Sequence, residues 1–252
     1  MPEKARPQAG AGGSAGRVIA GVARGRRLVA PGAGTRPLGD RVKQSLFAII
    51  EPEVKDGAFL DLFAGSGAAG IEALSRGARS AVFVERNRQA GQAIERNLRT
   101  TGLLGPRARI VATDALGWLA GRGLRSEAGP GAKAAVDAQP NKGRPGAGAA
   151  GDGAGDGPID GVRQGPDVER GPFDAIVLDP PYDEPTLLDR CLEAIAAAGP
   201  GATLTAGGVA VAKHFQRTGP AARYGLLRSA REARFGETTL TFYRWSEVEE
   251  VG

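Results

Sequence analysis

Cysteine and histidine are almost absent: the 252-residue chain contains one of each, Cys191 and His214. A single cysteine excludes a disulfide bond within the chain and favours a reducing, cytoplasmic setting. The chain has no run of 18 or more apolar residues, which excludes an ordinary transmembrane helix. The first 16 residues lack the apolar core of a signal peptide, so we expect no secretory signal.

Positive charge is concentrated near the start of the chain. The net charge is +5, yet residues 1–45 hold nine Lys/Arg and two acidic residues, so the rest of the chain is slightly acidic in sum. A local basic stripe is the expected footprint of a polyanion partner, and a solvated arm that aids solubility explains the charge equally well. The candidate nucleic-acid contacts are Arg24, Arg26, Arg27, Arg36, Arg41 and Lys43.

Strand-length apolar runs alternate with helical patterns from residue 58 onward. Runs such as AFLDLFA and AVFVE precede the helical stretches AAGIEALSRG and NRQAGQAIERNLRTTG, and a glycine ends each helix. Near-continuous apolar strands between helices indicate an α/β fold, with a mostly parallel sheet covered by helices on both faces. The last two apolar runs predict an antiparallel hairpin at one edge.

Three segments fall outside this alternation. Residues 1–16 predict a disordered tail, and residues 17–57 predict a basic N-terminal arm, with a short hairpin, followed by a helix. Residues 121–172 hold 14 of the 40 glycines and few large apolar residues. Such a segment cannot bury enough surface to offset its ordering entropy, so we expect a disordered insertion within a domain of residues 58–252.

A glycine-rich loop follows the first strand of the repeat. Gly65, Gly67 and Gly70 form G-x-G-x-x-G, and Glu85 ends the next strand. Glycines at this spacing let a ligand approach the backbone, and an acid at that strand end can accept ribose hydroxyls. NAD and S-adenosylmethionine both fit this pattern. A P-loop is excluded, because Ile71 stands where its lysine would be.

Asp61 helps to decide between the two ligands. It lies four residues before Gly65, where a carboxylate would repel a pyrophosphate and attract a sulfonium cation that also carries an ammonium group. Asp114 ends the third strand, where it can accept from an adenine amine, cap the next helix, or do both. The predicted cofactor-binding residues are Asp61, Phe63, Ala64, Gly65, Ser66, Gly67, Glu85, Asp114 and Ala115.

The strand FDAIVLD ends in an unusual way, with Asp179, Pro180, Pro181 and Tyr182. Pro181 keeps Pro180 extended and so fixes the direction of its carbonyl. A planar amine can donate one N–H to the Asp179 carboxylate and one to this carbonyl, while Tyr182 stacks on the base with roughly 1–3 kcal/mol. We predict that these four residues are catalytic, through positioning and electrostatics and without a metal.

The chain resembles a known family in four stretches: RVIAGVARGRRLVAPGAGTRPLGDRVKQSLFAII, FLDLFAGSGAAGIEALSRGA, VFVERN and DPPY. They are similar to the bacterial 16S ribosomal RNA (guanine-N2)-methyltransferases, the RsmD family, over about residues 17–120 and 173–244. The resemblance implies a class I, Rossmann-like methyltransferase fold with a seven-stranded sheet, and S-adenosylmethionine as cofactor. The implied substrate is N2 of one guanine of 16S rRNA in the small ribosomal subunit or its assembly intermediate.

Two features depart from the family pattern. The Gly/Ala-rich insertion is not typical, and Lys213 stands where an acid is common, so we expect nothing catalytic at that strand end. His214, Trp118, Trp245 and Cys191 are expected to be structural.

Other functions stay open on the sequence alone. A DNA amino-methyltransferase acting on adenine or cytosine would use the same motifs, although no ordered target-recognition domain is left once the insertion is discounted. A nicotinamide-dependent oxidoreductase fits the glycine loop but neither Asp61 nor D-P-P-Y. A basic RNA-binding protein without catalysis is a further alternative. We also expect a monomer, since neither a coiled coil nor an obvious apolar edge is present. The expected setting is the cytoplasm, without metal or membrane association.

Overall fold

The computed structural model describes residues 13–32, 38–126, 171–181 and 184–246. Its strands are β1 (Ser14–Arg17), β2 (Arg27–Val29), β3 (Ala58–Asp61), β4 (Ser80–Val84), β5 (Ala108–Val111), β6 (Phe173–Leu178), β7 (Leu204–Phe215), β8 (Arg223–Tyr224), β9 (Leu227–Phe235) and β10 (Thr238–Trp245). Its helices are α1 (Asp40–Ile49), α2 (Glu51–Val54), α3 (Ala68–Ser75), α4 (Arg88–Thr101), α5 (Ala115–Ser126) and α6 (Pro185–Ala198). None of these described helices is both long and apolar enough to cross a membrane.

The main sheet has the order β5-β4-β3-β6-β7-β10-β9-β8. Strands β3 to β7 are parallel, and β10 pairs antiparallel with both β7 and β9, which confirms the mostly parallel sheet with a C-terminal hairpin. The prediction of seven strands is wrong, because the sheet has eight strands within the described residues. Gly225, at φ +56°, turns the chain back and leaves Arg223–Tyr224 as a separate edge strand, which is too short to show a period in the sequence.

Both faces of the sheet are buried, as the apolar strands predict. Neighbouring residues of a strand point to opposite faces, so Phe59 and Phe83 pack with α1, α3 and α4, while Leu60 and Val82 pack with α5 and α6. The two apolar cores are therefore separated by the sheet, and the carboxyl ends of its parallel strands form one edge.

The N-terminal arm packs against helix α3. Strands β1 and β2 pair antiparallel, which agrees with the predicted hairpin. The buried carboxylate of Glu72 accepts hydrogen bonds from the amides of Ile19 and Ala20, at 2.7 and 3.0 Å, and from Nε of Arg76 at 2.8 Å. This one acidic side chain therefore satisfies two partly buried arm amides.

Replacing Glu72 with glutamine should lower the free energy of unfolding by about 2 kcal/mol. The glutamine side chain has one acceptor oxygen, so it can accept from only one of the two backbone N–H groups of the arm, and it lacks the negative charge of the carboxylate. Urea unfolding measures this change. Glu232, which pairs with Arg234 on the surface, provides the control: Glu232→Gln should cost less than about 1 kcal/mol. Equal losses in the two variants would contradict the assigned role of Glu72.

Segment boundaries differ from the sequence prediction at several points. Strand β1 begins at Ser14, inside the predicted tail, and α5 continues to Ser126, past the predicted start of the insertion at residue 121. Residues 1–12 and 127–170 lie outside the described residues. Asp40 is the first residue of α1, and its carboxylate accepts from Nε of Arg17 at 3.0 Å.

Candidate functional site

A cavity of about 980 Å³ opens at the carboxyl ends of β3, β4 and β6. The chain leaves β3 towards β4 and β5 on one side and returns to β6 on the other, so the cavity lies at the switch point where ligands bind in doubly wound folds. The predicted site residues that line it are Asp61, Phe63, Ala64, Gly65, Ser66, Glu85, Asp114, Ala115, Asp179, Pro180 and Pro181. Gly67 is not on this wall, and Tyr182 lies outside the described residues.

Asp61 is the most buried acid of the cavity wall, with 3% of its surface exposed. It is the last residue of β3, and its Oδ2 accepts a hydrogen bond from the amide of Gly70 in α3 at 3.0 Å. Burial raises the pKa of Asp61 to about 7, and the charges of Asp179 and Glu85 add to the rise, which the Gly70 hydrogen bond opposes. A nearby cation would therefore stabilise the ionised form.

The three glycines of the loop have different structural roles. Gly65 has φ +52°, and a Cβ there would meet open space, so its backbone conformation rather than its surroundings requires glycine. Gly67, at φ +77°, precedes α3 and faces Ile94. A Cβ on Gly70 would lie 2.3 Å from the Phe83 ring, so this glycine permits close packing of α3 on β4. Of the three, Gly65 faces the cavity.

Glu85 ties the glycine loop to the end of β4. Its Oε2 accepts from the amide of Gly65 at 2.8 Å, and its Oε1 accepts from the amide of Asn87 at 2.7 Å. Each carboxylate oxygen can accept a second hydrogen bond, so the side chain can hold the loop and still receive ligand hydroxyls.

Asp114 caps helix α5. Its Oδ1 accepts from the amide of Gly117 at 2.8 Å, while the residue stays exposed on the cavity wall beside Ala115. The capping role expected from the sequence is thus present, and contact with an adenine stays a prediction.

Asp179 follows β6 and forms an ion pair with Lys213 of β7. Lys213 Nζ lies 2.6 Å from Oδ1 and 2.8 Å from Oδ2 of Asp179. Burial raises the pKa of Asp179, and the Lys213 ammonium opposes that rise. The sequence predicts nothing catalytic at this end of β7, and that stays a prediction, but it did not anticipate that Lys213 contacts the candidate catalytic carboxylate. The strand register explains this contact: Leu178 pairs with Ala212, so the residues that follow them, 179 and 213, are neighbours.

A second ion pair lies at the rim of the cavity. Arg86 Nη2 is 2.6 Å from Glu184 Oε1, and this pair joins the segment after β4 to the segment before α6. Both side chains line the cavity, so a ligand that enters here meets charged groups of both signs.

The predicted RNA contacts divide into three groups. Arg24, Arg26, Arg27 and Arg41 are exposed. Lys43 is fully buried, burial lowers its pKa, and its Nζ donates to the carbonyl oxygen of Arg17 at 2.5 Å, so the prediction that it contacts RNA is wrong. It falls on the inner face of α1, and a lysine in a helical pattern does not reveal which face it takes. Arg36 lies outside the described residues.

The side chains expected to be structural are packed in the interior or bonded to the backbone. His214 has one ring nitrogen 2.8 Å from the carbonyl oxygen of Phe215 and the other 2.8 Å from Oγ1 of Thr241. Cys191 is buried in the apolar core, Trp118 packs on Phe173, and Trp245 donates to the carbonyl oxygen of Thr205.

Known proteins resemble this chain in both sequence and fold. YlbH of Bacillus subtilis is 48% identical over 100 residues, or 39% of this chain and 54% of that protein. The ribosomal RNA small subunit methyltransferase D of Escherichia coli K12 is 44% identical over 108 residues, or 42% of this chain and 54% of that protein. This chain thus spans about half the length of the curated relatives it matches. The solved structure of yhhF from Escherichia coli is 26% identical with a TM-score of 0.63, and the alignment covers 92% of this chain and 98% of that one.

One family profile covers most of the chain. The family described as "Conserved hypothetical protein 95" matches residues 16–126 and 161–244, which include the arm, the glycine loop, Asp179 and the C-terminal hairpin. Because this match extends over far more than half of the residues, the chain belongs to that family, the RsmD family.

Proposed function

We propose that this protein transfers a methyl group from S-adenosylmethionine to the exocyclic N2 of a guanine in 16S rRNA of the small ribosomal subunit. The observation that carries the proposal is the shared cavity: Asp179 lies on the same wall as Asp61 and the glycine loop. Two of the reported relatives support it by name: YlbH is described as an rRNA methyltransferase, and the Escherichia coli protein as a ribosomal RNA small subunit methyltransferase.

The cavity fits a cationic nucleoside cofactor. Its volume of about 980 Å³ is at the upper end of the range for small-molecule sites. Asp61 and Glu85 place carboxylates beside the Gly65 turn, where they would attract a positively charged ligand and accept ribose hydroxyls. We assign Asp61, Gly65 and Glu85 to the amino acid and ribose parts of S-adenosylmethionine, and Asp114 to its adenine.

Methyl transfer needs a positioned nucleophile rather than a strong base. S-adenosylmethionine supplies a methyl carbon on cationic sulfur: the acceptor nitrogen bonds to this carbon with its lone pair as the carbon–sulfur bond breaks, and the bonding electrons stay on sulfur. Asp179 and the Pro180 carbonyl would each accept one N–H of the guanine amine, which orients the lone pair. After transfer the nitrogen is cationic and releases one proton, which the Asp179 carboxylate or water can accept.

The arm and the Asp-Pro-Pro-Tyr segment would hold the RNA. Arg24, Arg26, Arg27 and Arg41 would contact phosphates while the base is flipped out of its stack. Pro181 would keep the Pro180 carbonyl in position, and Tyr182 would stack on the base. We further propose that the enzyme acts as a monomer on the small subunit or its assembly intermediate.

A transfer assay with a labelled methyl group tests this function. We expect N2-methylguanosine, identified by mass spectrometry, in small-subunit particles or 16S rRNA from a strain that lacks this modification, and no transfer to duplex DNA. Calorimetry should detect S-adenosylmethionine binding and no comparable NADH binding. Transfer to duplex DNA alone would indicate a DNA methyltransferase, and preferential NADH binding would indicate an oxidoreductase.

A further inference from the structure

The ion pair between Lys213 and Asp179 is built into the sheet. The two residues follow Ala212 and Leu178, which are paired in the parallel β6–β7 register, so the backbone sets their separation. The Lys213 side chain is 8% exposed and that of Asp179 is 23% exposed, and both carboxylate oxygens lie within 2.8 Å of the ammonium nitrogen. The orientation of the carboxylate is therefore determined before any ligand binds.

Several other charged groups line the same cavity as Asp179. Asp61 at the end of β3 adds negative charge, and both residues line the same cavity. Glu184 and Arg190 line the cavity from the α6 side, and Arg86, which pairs with Glu184, lines it from the β4 side. Of these groups, Lys213 is the cation in hydrogen-bond contact with Asp179.

We propose that Lys213 is a positioning residue for methyl transfer, which keeps Asp179 ionised and aimed into the cavity so that it can accept the N–H of the methyl-acceptor amine. This inference rests on the proposed function. A carboxylate that accepts two hydrogen bonds from one ammonium keeps two further acceptor positions, which are enough for an incoming amine.

The physical reason is the competition between burial and charge. Burial favours the protonated form of Asp179, and a protonated carboxyl group accepts hydrogen bonds poorly and cannot take a proton from the product. The Lys213 ammonium opposes this effect, so the pKa of Asp179 rises less than burial alone would raise it. Loss of the ammonium should therefore show as a change in pH dependence, not as a uniform loss of rate.

The test compares kcat against pH for the wild type, Lys213→Met and Lys213→Arg at saturating S-adenosylmethionine. In Lys213→Met the acid limb of the profile should move to higher pH by about one unit, with a loss of about tenfold near pH 6 that recovers at alkaline pH. Lys213→Arg keeps the positive charge, so its acid limb should lie at the same pH as that of the wild type. Lys55→Met serves as the matched control, because Lys55 is exposed and does not line this cavity.

A loss of equal size at every pH, or an unchanged profile in Lys213→Met, would overturn the inference. If Lys213→Met fails to fold, carboxyl ¹³C NMR of the wild-type protein provides a second measurement. The Asp179 signal is assigned by comparison with the spectrum of Asp179→Asn. We expect the chemical shift of an ionised carboxylate at neutral pH, and a protonated signal would overturn the inference. A wild type that methylates no RNA would instead reject the proposed function, and the NMR result would still test the ion pair.

Discussion

Replacing Asp179 with alanine should lower the rate of methyl transfer by at least about 10³-fold and leave the affinity for S-adenosylmethionine within about threefold of the wild type. The carboxylate lies after β6 and would hold the acceptor amine, while the cofactor would be held by the ends of β3 and β4. Removing it takes away a hydrogen-bond acceptor from the nucleophile but leaves Asp61 and Glu85 in place. Single-turnover transfer and calorimetric titration measure the two effects separately.

Two further variants make the Asp179 result specific. Asp179→Asn keeps an acceptor oxygen, so its activity should lie between those of the alanine variant and the wild type. Asp174→Asn changes an aspartate at the opposite end of β6, outside the cavity, and should retain nearly full activity. If Asp179→Ala lost cofactor affinity and transfer to the same extent, Asp179 would belong to the cofactor site and the proposed catalytic assignment would fail.

Replacing Asp61 with asparagine should weaken S-adenosylmethionine binding by on the order of 100-fold at pH 8, because a buried carboxylate is exchanged for a neutral group beside a cation. In the wild type the pKa of Asp61 is raised to about 7, so binding of the cation should weaken by up to about tenfold per pH unit below 7 as the carboxyl group is protonated. The asparagine variant should lack this dependence. Calorimetry between pH 5.5 and 8.5, about three units, covers the transition.

The same substitution should stabilise the ligand-free protein. The folded-state pKa of about 7 lies above the reference value of 3.8, so the folded state binds the proton more tightly and stability falls as pH rises from about 4 to 7. Asp61→Asn removes this pH-dependent loss of stability. Its free energy of unfolding should therefore exceed that of the wild type by on the order of 2–4 kcal/mol above pH 7, and the difference should vanish near pH 4.

A surface aspartate provides the control for Asp61. Asp56 is exposed, lies outside the cavity and has φ +59°, a conformation that asparagine also tolerates. Asp56→Asn should leave the cofactor affinity unchanged. If Asp61→Asn bound S-adenosylmethionine as tightly as the wild type, the cation that the cavity favours would have to be held by other residues.

Local sequence patterns predicted much of the fold and the position of the site. Apolar runs of strand length, and helices ended by glycine, identify the alternation that builds a parallel sheet, because backbone hydrogen bonding and side-chain period act over a few residues. The glycine loop and the Asp-Pro-Pro-Tyr segment both follow strands, and the carboxyl ends of parallel strands share one edge. The sequence therefore predicted that Asp61, Gly65 and Asp179 would face one cavity.

Two kinds of sequence pattern were less informative: strands of very few residues, and helical residues for which the pattern does not tell the buried face from the exposed one. The eighth strand has two residues, a single period of a strand pattern that cannot show a repeat, so the sequence could not separate it from β9. Lys43 was assigned to the RNA-contacting surface by its charge, yet it lies on the buried side of α1. A helix places neighbouring residues on different faces, and the face that becomes buried depends on what packs against it.

The sequence by itself determined the order of elements, the glycine loop and the acids at the strand ends, since these depend on contacts between residues close in the chain. Only the tertiary structure decided that Lys213 pairs with Asp179, that Lys43 is enclosed and that Gly67 faces Ile94 rather than the cavity. The ion pair joins residues 34 positions apart. Such pairs depend on which strands become neighbours and in which register, and this is settled by packing over the whole sheet.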